Sequence, residues 1–401
     1  MYKILTLRIL VGVALMIAAI QARSELPEQF IDPMDGMFDM SQYLSENAHG
    51  FLPVPIIITD PALESGLGMA GIFFHETEEN KKARLEALQK GEGAAARLIP
   101  PNVSAVAGFV TGNDSWGGGV GHMAFWNQGK IRYIGGAGVG DINLDYFGSG
   151  EDRLDDPIAL NTQAFGMKQA LKFKVADSRF FIGPVQQYVS AELSPTNLED
   201  LDGSGLTPEE VEELEDILTQ EVKNSGLGLV IEFDSRDNVF SPHSGYQYVL
   251  NLLRYDEALG GDLEYNAYKL EGLNYWNMGE RWRLGLKIVS EHADSDDLLP
   301  PFATPSVNLR GVPIGSIQGL HAQSTEIELT HVVSDRWEFQ VFAGAGRVSN
   351  EFDDLGDADW ETSKGVGFRY QIAKRYGFYA GLDYAWGPKD NVFYIQAGSA
   401  W

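Results

Sequence analysis

Gly66-Leu-Gly-Met-Ala-Gly71 matches the glycine fingerprint of dinucleotide-binding turns letter for letter. In that use the run must open a helix whose N-terminus meets a pyrophosphate. Here it continues into Ile72-Phe-Phe, a strand pattern, so no dinucleotide site is expected. Asp200, Asp202 and Ser204 stand at the spacing of the first calcium ligands of an EF-hand, but the twelfth position is Val211 and Glu210 comes one place early. A solvated acidic turn is the simpler account. None of the seven histidines forms His-Glu-x-x-His, and no Gly-x-Ser-x-Gly occurs, so a lipase would need a Ser/His pair that only folding assembles. The chain has no cysteine, which removes disulfides and thiolate metal sites. No enzyme, cofactor or metal is expected. Arg310, at a loop tip, and Arg369 and Asp383, further along the chain, remain as charges in unusual settings. A charged loop tip alone is as well explained by solvation as by pairing.

The last residues show what must position those charges. Between Gly365 and Trp401 three runs alternate with period two, the signature of strands with unlike faces. Phe378, Ala380, Leu382, Tyr384 and Trp386 share one face, while Tyr379, Gly381, Asp383 and Ala385 share the other. Val366, Phe368, Tyr370 and Ile372 oppose Gly365, Gly367, Arg369 and Gln371; in the last run Phe393, Ile395, Ala397 and Trp401 oppose Tyr394, Gln396, Gly398 and Ala400. Each run is about ten residues long, the reach of a tilted strand across a bilayer, and the last ends on an aromatic residue, as outer-membrane barrels do. Arg369 and Asp383 then belong to an inner wall, and Trp401 to the lipid face.

Upstream, Lys3 and Arg8 precede an apolar run from Ile9 to Ile20 and then Ala22-Arg23-Ser24. Too short to span a bilayer, this reads as a signal peptide over residues 1–24, with cleavage after Ala22 or retention as an anchor as the alternatives. The formal charge of the whole chain is −27. The leader carries three basic and no acidic residues, so its removal makes the chain still more acidic and a nucleic-acid partner unexpected. Residues 25–52 form a short periplasmic lead, with a helix predicted over Phe38–Glu46. From Pro53 to Trp401 sixteen strands are predicted, beginning with Pro53–Thr59 and Gly66–His75 and ending with Gly377–Trp386 and Val392–Trp401. The expected fold is all-β, a 16-stranded antiparallel transmembrane β-barrel of the outer membrane over residues 53–401.

With the N-terminus in the periplasm, odd-to-even connections lie outside the cell. Thr196–Ser225 becomes the fourth outer loop and Glu291–His321 the sixth, while Glu76–Asn102 lies on the periplasmic side. Thr207-Pro-Glu-Glu210 is a capping box that predicts a short amphipathic helix in the fourth loop. The periplasmic insertion reads as another small helix between Thr77 and Gly91.

Three stretches together resemble the BamA/TamA superfamily, or bacterial surface antigen family. Gly365-x-Gly-x-Arg369 followed by Leu382-Asp-Tyr-Ala385 is similar to its closing strands. Glu232-Phe-Asp-Ser-Arg-Asp-Asn-Val-Phe-Ser-Pro-His-Ser-Gly245 resembles its strand-and-turn signature, and Leu309-Arg310-Gly311-Val312 the Arg-Gly tip of its sixth loop. The resemblance implies that the loop folds back into the lumen and that Arg310 pairs with Asp383 near the closing strands, beside Arg369. Leu309 and Val312 depart from the family's valine and aromatic residue. Members with insertase or secretion roles carry POTRA domains ahead of the barrel, for which residues 25–52 leave no room.

The resemblance implies a POTRA-less barrel that inserts or translocates outer-membrane protein or lipid through a lateral seam. Its partners would be outer-membrane lipid, unfolded outer-membrane or secreted polypeptide clients and the barrel assembly machinery. A gated or plugged pore for small solutes, or a structural surface antigen without transport, are the alternatives. Pro53 and Pro55 bear on the choice, because N–H groups two residues apart point to one edge of a strand and proline has none. Either they weaken that edge at the seam with the last strand, or they rigidify the entry to the first.

Overall fold

The computed structural model describes residues 27–46, 51–75, 102–150, 152–196, 219, 221–238, 241–374, 377–389, 391–397 and 401. The leader, the two helices predicted in the insertion and the fourth loop, and the calcium-like turn lie outside these residues. Sixteen strands follow one another: β1 (Phe51–Ile58), β2 (Gly66–His75), β3 (Asn102–Thr111), β4 (Trp116–Trp126), β5 (Ile131–Ser149), β6 (Asp152–Lys174), β7 (Phe180–Pro195) and β8 (Glu221–Asp234), then β9 (Gly245–Tyr255), β10 (Tyr265–Asn277), β11 (Trp282–Asp294), β12 (His321–Val332), β13 (Trp337–Ser349), β14 (Glu361–Ala373), β15 (Phe378–Trp386) and β16 (Asn391–Ala397). All lie in one antiparallel sheet in sequence order, which curls into a nearly closed barrel. The glycine fingerprint at Gly66 begins β2 and no helix follows it.

The sheet curls because its two faces differ. Val106, Val120, Leu227, Leu229, Phe339, Val341 and Val366 are exposed on the outer wall, the apolar belt of a barrel whose solvent on that side is lipid. On β15 the burial alternates strictly, with Tyr379, Gly381, Asp383 and Ala385 inside. No described helix is long and apolar enough to cross a membrane.

β5 and β6 run to 19 and 23 residues, past the Ile131–Tyr146 and Thr162–Ala176 that the sequence predicts. Their outer face turns polar at the far end: Asn161 donates to Asp141 at 2.6 Å and to Asn143 at 2.8 Å. The hairpin therefore continues in water beyond the belt.

The lumen is filled largely by the connection between β11 and β12. Leu299 packs in a buried cluster with Val185, Val230, Leu253, Tyr255 and Tyr265, and Val307, Leu309, Val312 and Ile317 pack with Ala322 of β12 and Val348 of β13. Apolar loop side chains shed water by lying against the inner wall. At the other rim, the segment before β1 forms a 3-10 turn (Glu28–Phe30), an isolated bridge between Ile31 and Phe38, and a helix α1 (Ser41–Glu46), shorter than the predicted Phe38–Glu46.

Candidate functional site: the loop anchor and the seam

The chain brings Arg310 to the inner wall between β12 and β15. Its guanidinium lies 2.8 Å from Asp383, 2.6 Å from Glu326 and 2.8 Å from Glu328, and is 7 % exposed. Arg369 makes a two-pronged bond to the same Asp383, at 2.6 and 2.9 Å. Two guanidiniums thus interlock with three carboxylates, and Arg310 also stacks 3.5 Å from the centre of the Phe342 ring. Burial pushes the Arg310 pKa down, but Glu328, Glu326 and Asp383 outweigh it and hold the group above its ordinary range. It stays charged at every pH the protein meets.

Small residues on the wall make the room. A side chain at Gly381 would meet the Phe368 carbonyl and Arg369, and one at Gly367 would collide with Asp383. Gly311 needs its identity twice over: its φ is +94°, and a Cβ would press on Gly387 and Ala385. Its N–H donates to the Tyr394 hydroxyl of β16 at 2.9 Å. The loop tip therefore touches both strands nearest the barrel's end.

Glu326 and Glu328 are absent from the sequence-level site. Their signal was two carboxylates flanking Ile327 on one face of the strand after the loop. Phe342, from β13, supplies the aromatic partner that Val312 does not.

Trp401 corrects the expectation of a lipid-facing terminus. β16 ends at Ala397. The indole lies inside, against Gly285, with its N–H donated to Glu326 at 2.5 Å and its ring 5.8 Å from that of Tyr275. An indole N–H in lipid lacks an acceptor; inside, a carboxylate provides one.

The strand-and-turn signature holds the lower rim. Glu232 bonds Arg132 at 2.8 Å and also pairs with Lys172, while Asp234 holds Arg132 at 2.8 Å and Arg236 at 3.1 Å. Asp237 accepts the N–H groups of His243 and Ser244, closing the turn between β8 and β9. These residues staple β5, β6 and β8 and close the turn into β9.

At the seam, β1 pairs with β2 without interruption from Phe51 to Ile58. Proline has no N–H to give, so an unbroken ladder through Pro53 and Pro55 requires their nitrogens to face the other edge, toward β16. No ladder joins β1 to β16 among the described residues.

No family model matches the sequence, and no curated protein matches it. Solved barrels do. The crystal structure of BamA from Haemophilus ducreyi lacking POTRA domains 1–3 superposes with a TM-score of 0.51 at 13 % identity, over 86 % of this chain and 68 % of that one. CdiB from Acinetobacter baumannii gives 0.53 at 9 % identity, over 86 % of this chain and 59 % of that one. CdiB from Escherichia coli gives 0.53 at 11 %, over 86 % and 61 %. At such identities the likeness is one of fold: the chain has the barrel of BamA and CdiB. It spans less than two thirds of either CdiB chain.

Proposed function

We propose that this protein is an outer-membrane barrel that handles polypeptide or lipid at the seam between β1 and β16. The observation that carries the reading is the seam itself. Every other neighbouring pair of strands is laddered, whereas the two terminal strands are not laddered among the described residues, and β1 turns two proline nitrogens to that edge. Each missing bond removes about 0.5–1.5 kcal/mol from one line of the wall, so separation there is cheaper than anywhere else. The plugged lumen supports the same reading over a pore for small solutes, because loop side chains and the Arg310 cluster occupy the interior.

Photo-crosslinkers placed at Ile57 on β1 and Ile395 on β16, with Leu270 on the outer face of β10 as control, test it in native outer membranes. Polypeptide or lipid adducts enriched at Ile57 and Ile395 are expected. Equal capture at all three positions would remove the seam as a working site.

A further inference from the structure

We propose that the segment before β1, Glu28–Glu46, is a latch across the seam, with Arg336 as its catch. This rests on the seam reading above and adds what holds the seam shut. Arg336, in the turn between β12 and β13, is 3 % exposed, yet its guanidinium meets three carboxylates of the segment: Asp32 at 2.6 Å, Asp35 at 2.8 Å and Asp39 at 2.5 Å. Its Nη1 also donates to the Gln371 carbonyl at 3.0 Å. The neighbouring rim adds backbone bonds. The Met40 N–H donates to the Ile372 carbonyl at 2.7 Å, the Lys374 N–H to Asp39 at 3.0 Å, and the Tyr370 hydroxyl to the Phe38 carbonyl at 2.8 Å. The Lys374 ammonium lies 3.7 Å from Asp35 and 4.0 Å from Asp32. All of these partners belong to the end of the sheet made by β12 to β14.

The same segment runs on into β1, the opposite end of the sheet. Met40 and Tyr43 pack on a buried pair, Leu52 of β1 and Ala373 of β14, together with Val54, Ile72 and Phe378. Leu52 and Ala373 are 2 % and 1 % exposed. Two strands that share no ladder, β1 and β14, therefore meet at this rim. At this rim, side chains from β1, β14, β15 and the N-terminal segment pack into one cluster. Five residue steps separate Glu46 from Phe51 and span at most about 18 Å. Wider parting of β1 from β14 and β15 must first pull the segment off Arg336, which strands a buried guanidinium.

Spin labels on cysteines replacing Ile57 and Ile395 report the seam distance in the full-length protein in lipid, with Ile57 and Leu67, paired within β1 and β2, as control. In the Asp32→Asn/Asp35→Asn/Asp39→Asn variant, whose changes lie off the barrel wall, a longer-distance population absent from the wild type is expected for the seam pair and no change for the control. Arg336→Gln should do the same and Arg336→Lys should largely restore the wild-type distance. If faster proteolysis within residues 28–46 shows the segment released while the seam distance stays at its wild-type value, the latch is overturned. It is equally overturned if the Asn variant neither releases the segment nor moves the seam. Failure of the seam as a client site appears in the crosslinking experiment instead, so the two ideas fall separately.

Discussion

Arg310 is held by three carboxylates and a phenyl ring out of water, so its worth is best judged by what its loss strands. Arg310→Ala leaves Glu326 and Glu328 buried without their guanidinium, at a cost of about 3–5 kcal/mol. Asp383→Ala takes the carboxylate from Arg369 and one of three from Arg310, and should cost a similar amount. The double variant is expected to melt well above the sum of the two losses, since it removes charges of both signs. Melting followed by the heat-dependent shift in gel mobility checks this; strictly additive losses would mean that the pair is not coupled. Arg310 and Asp383 were legible because motif and periodicity both point at them. Glu326 and Glu328 were not, since a carboxylate on an inner wall looks in sequence like one facing open water. Trp401 was misread for a related reason: period-two alternation does not reveal that a buried carboxylate, Glu326, offers the indole N–H an acceptor inside.

Among the elements, the strands were the most legible part of the chain. Turn residues punctuate them, and lipid outside against small or polar residues inside enforces the alternation. It fails where lipid ends, which is why the first ten residues of β6 and the last three of β5 were missed. On β15, Leu382→Arg puts a charge on the lipid face and should cost about 2–4 kcal/mol near the midplane. Cysteines at 382 and 383 should differ in labelling by a water-soluble thiol reagent in membranes; equal labelling would reverse the facing. The N-terminal segment has its own pH signature. Asp35 is held below its ordinary pKa chiefly by the Arg336 hydrogen bond. For Asp39 burial pushes upward, but bonds from Ser41, Lys374 and Arg336 outweigh it. Carboxylates with depressed folded-state values stabilise fully above the unfolded value near 3.9, and that contribution fades as pH falls toward the folded values. The segment's resistance to protease should therefore be flat from pH 8 to about 5 and decline below about 4; a decline already at pH 6 would implicate other groups.

For the whole molecule, the filled lumen predicts low conductance in planar bilayers, and excision of residues 296–319 should raise it markedly. An unchanged conductance would mean that the loop is not what blocks the path. The loop anchor also carries a demand on the order of assembly. The tip leaves the chain between β11 and β12 yet is bonded to Asp383 of β15 and Tyr394 of β16, which come later in sequence. An arginine threaded into a finished barrel would have to cross the packed interior alone. The productive route is for β14, β15 and β16 to be laid down around a tip already in place, so that the loop serves as the template on which the wall is completed. Slower maturation of Arg310→Ala into the heat-modifiable form, with β1 to β11 already protected from hydrogen exchange, is the kinetic mark of such a template.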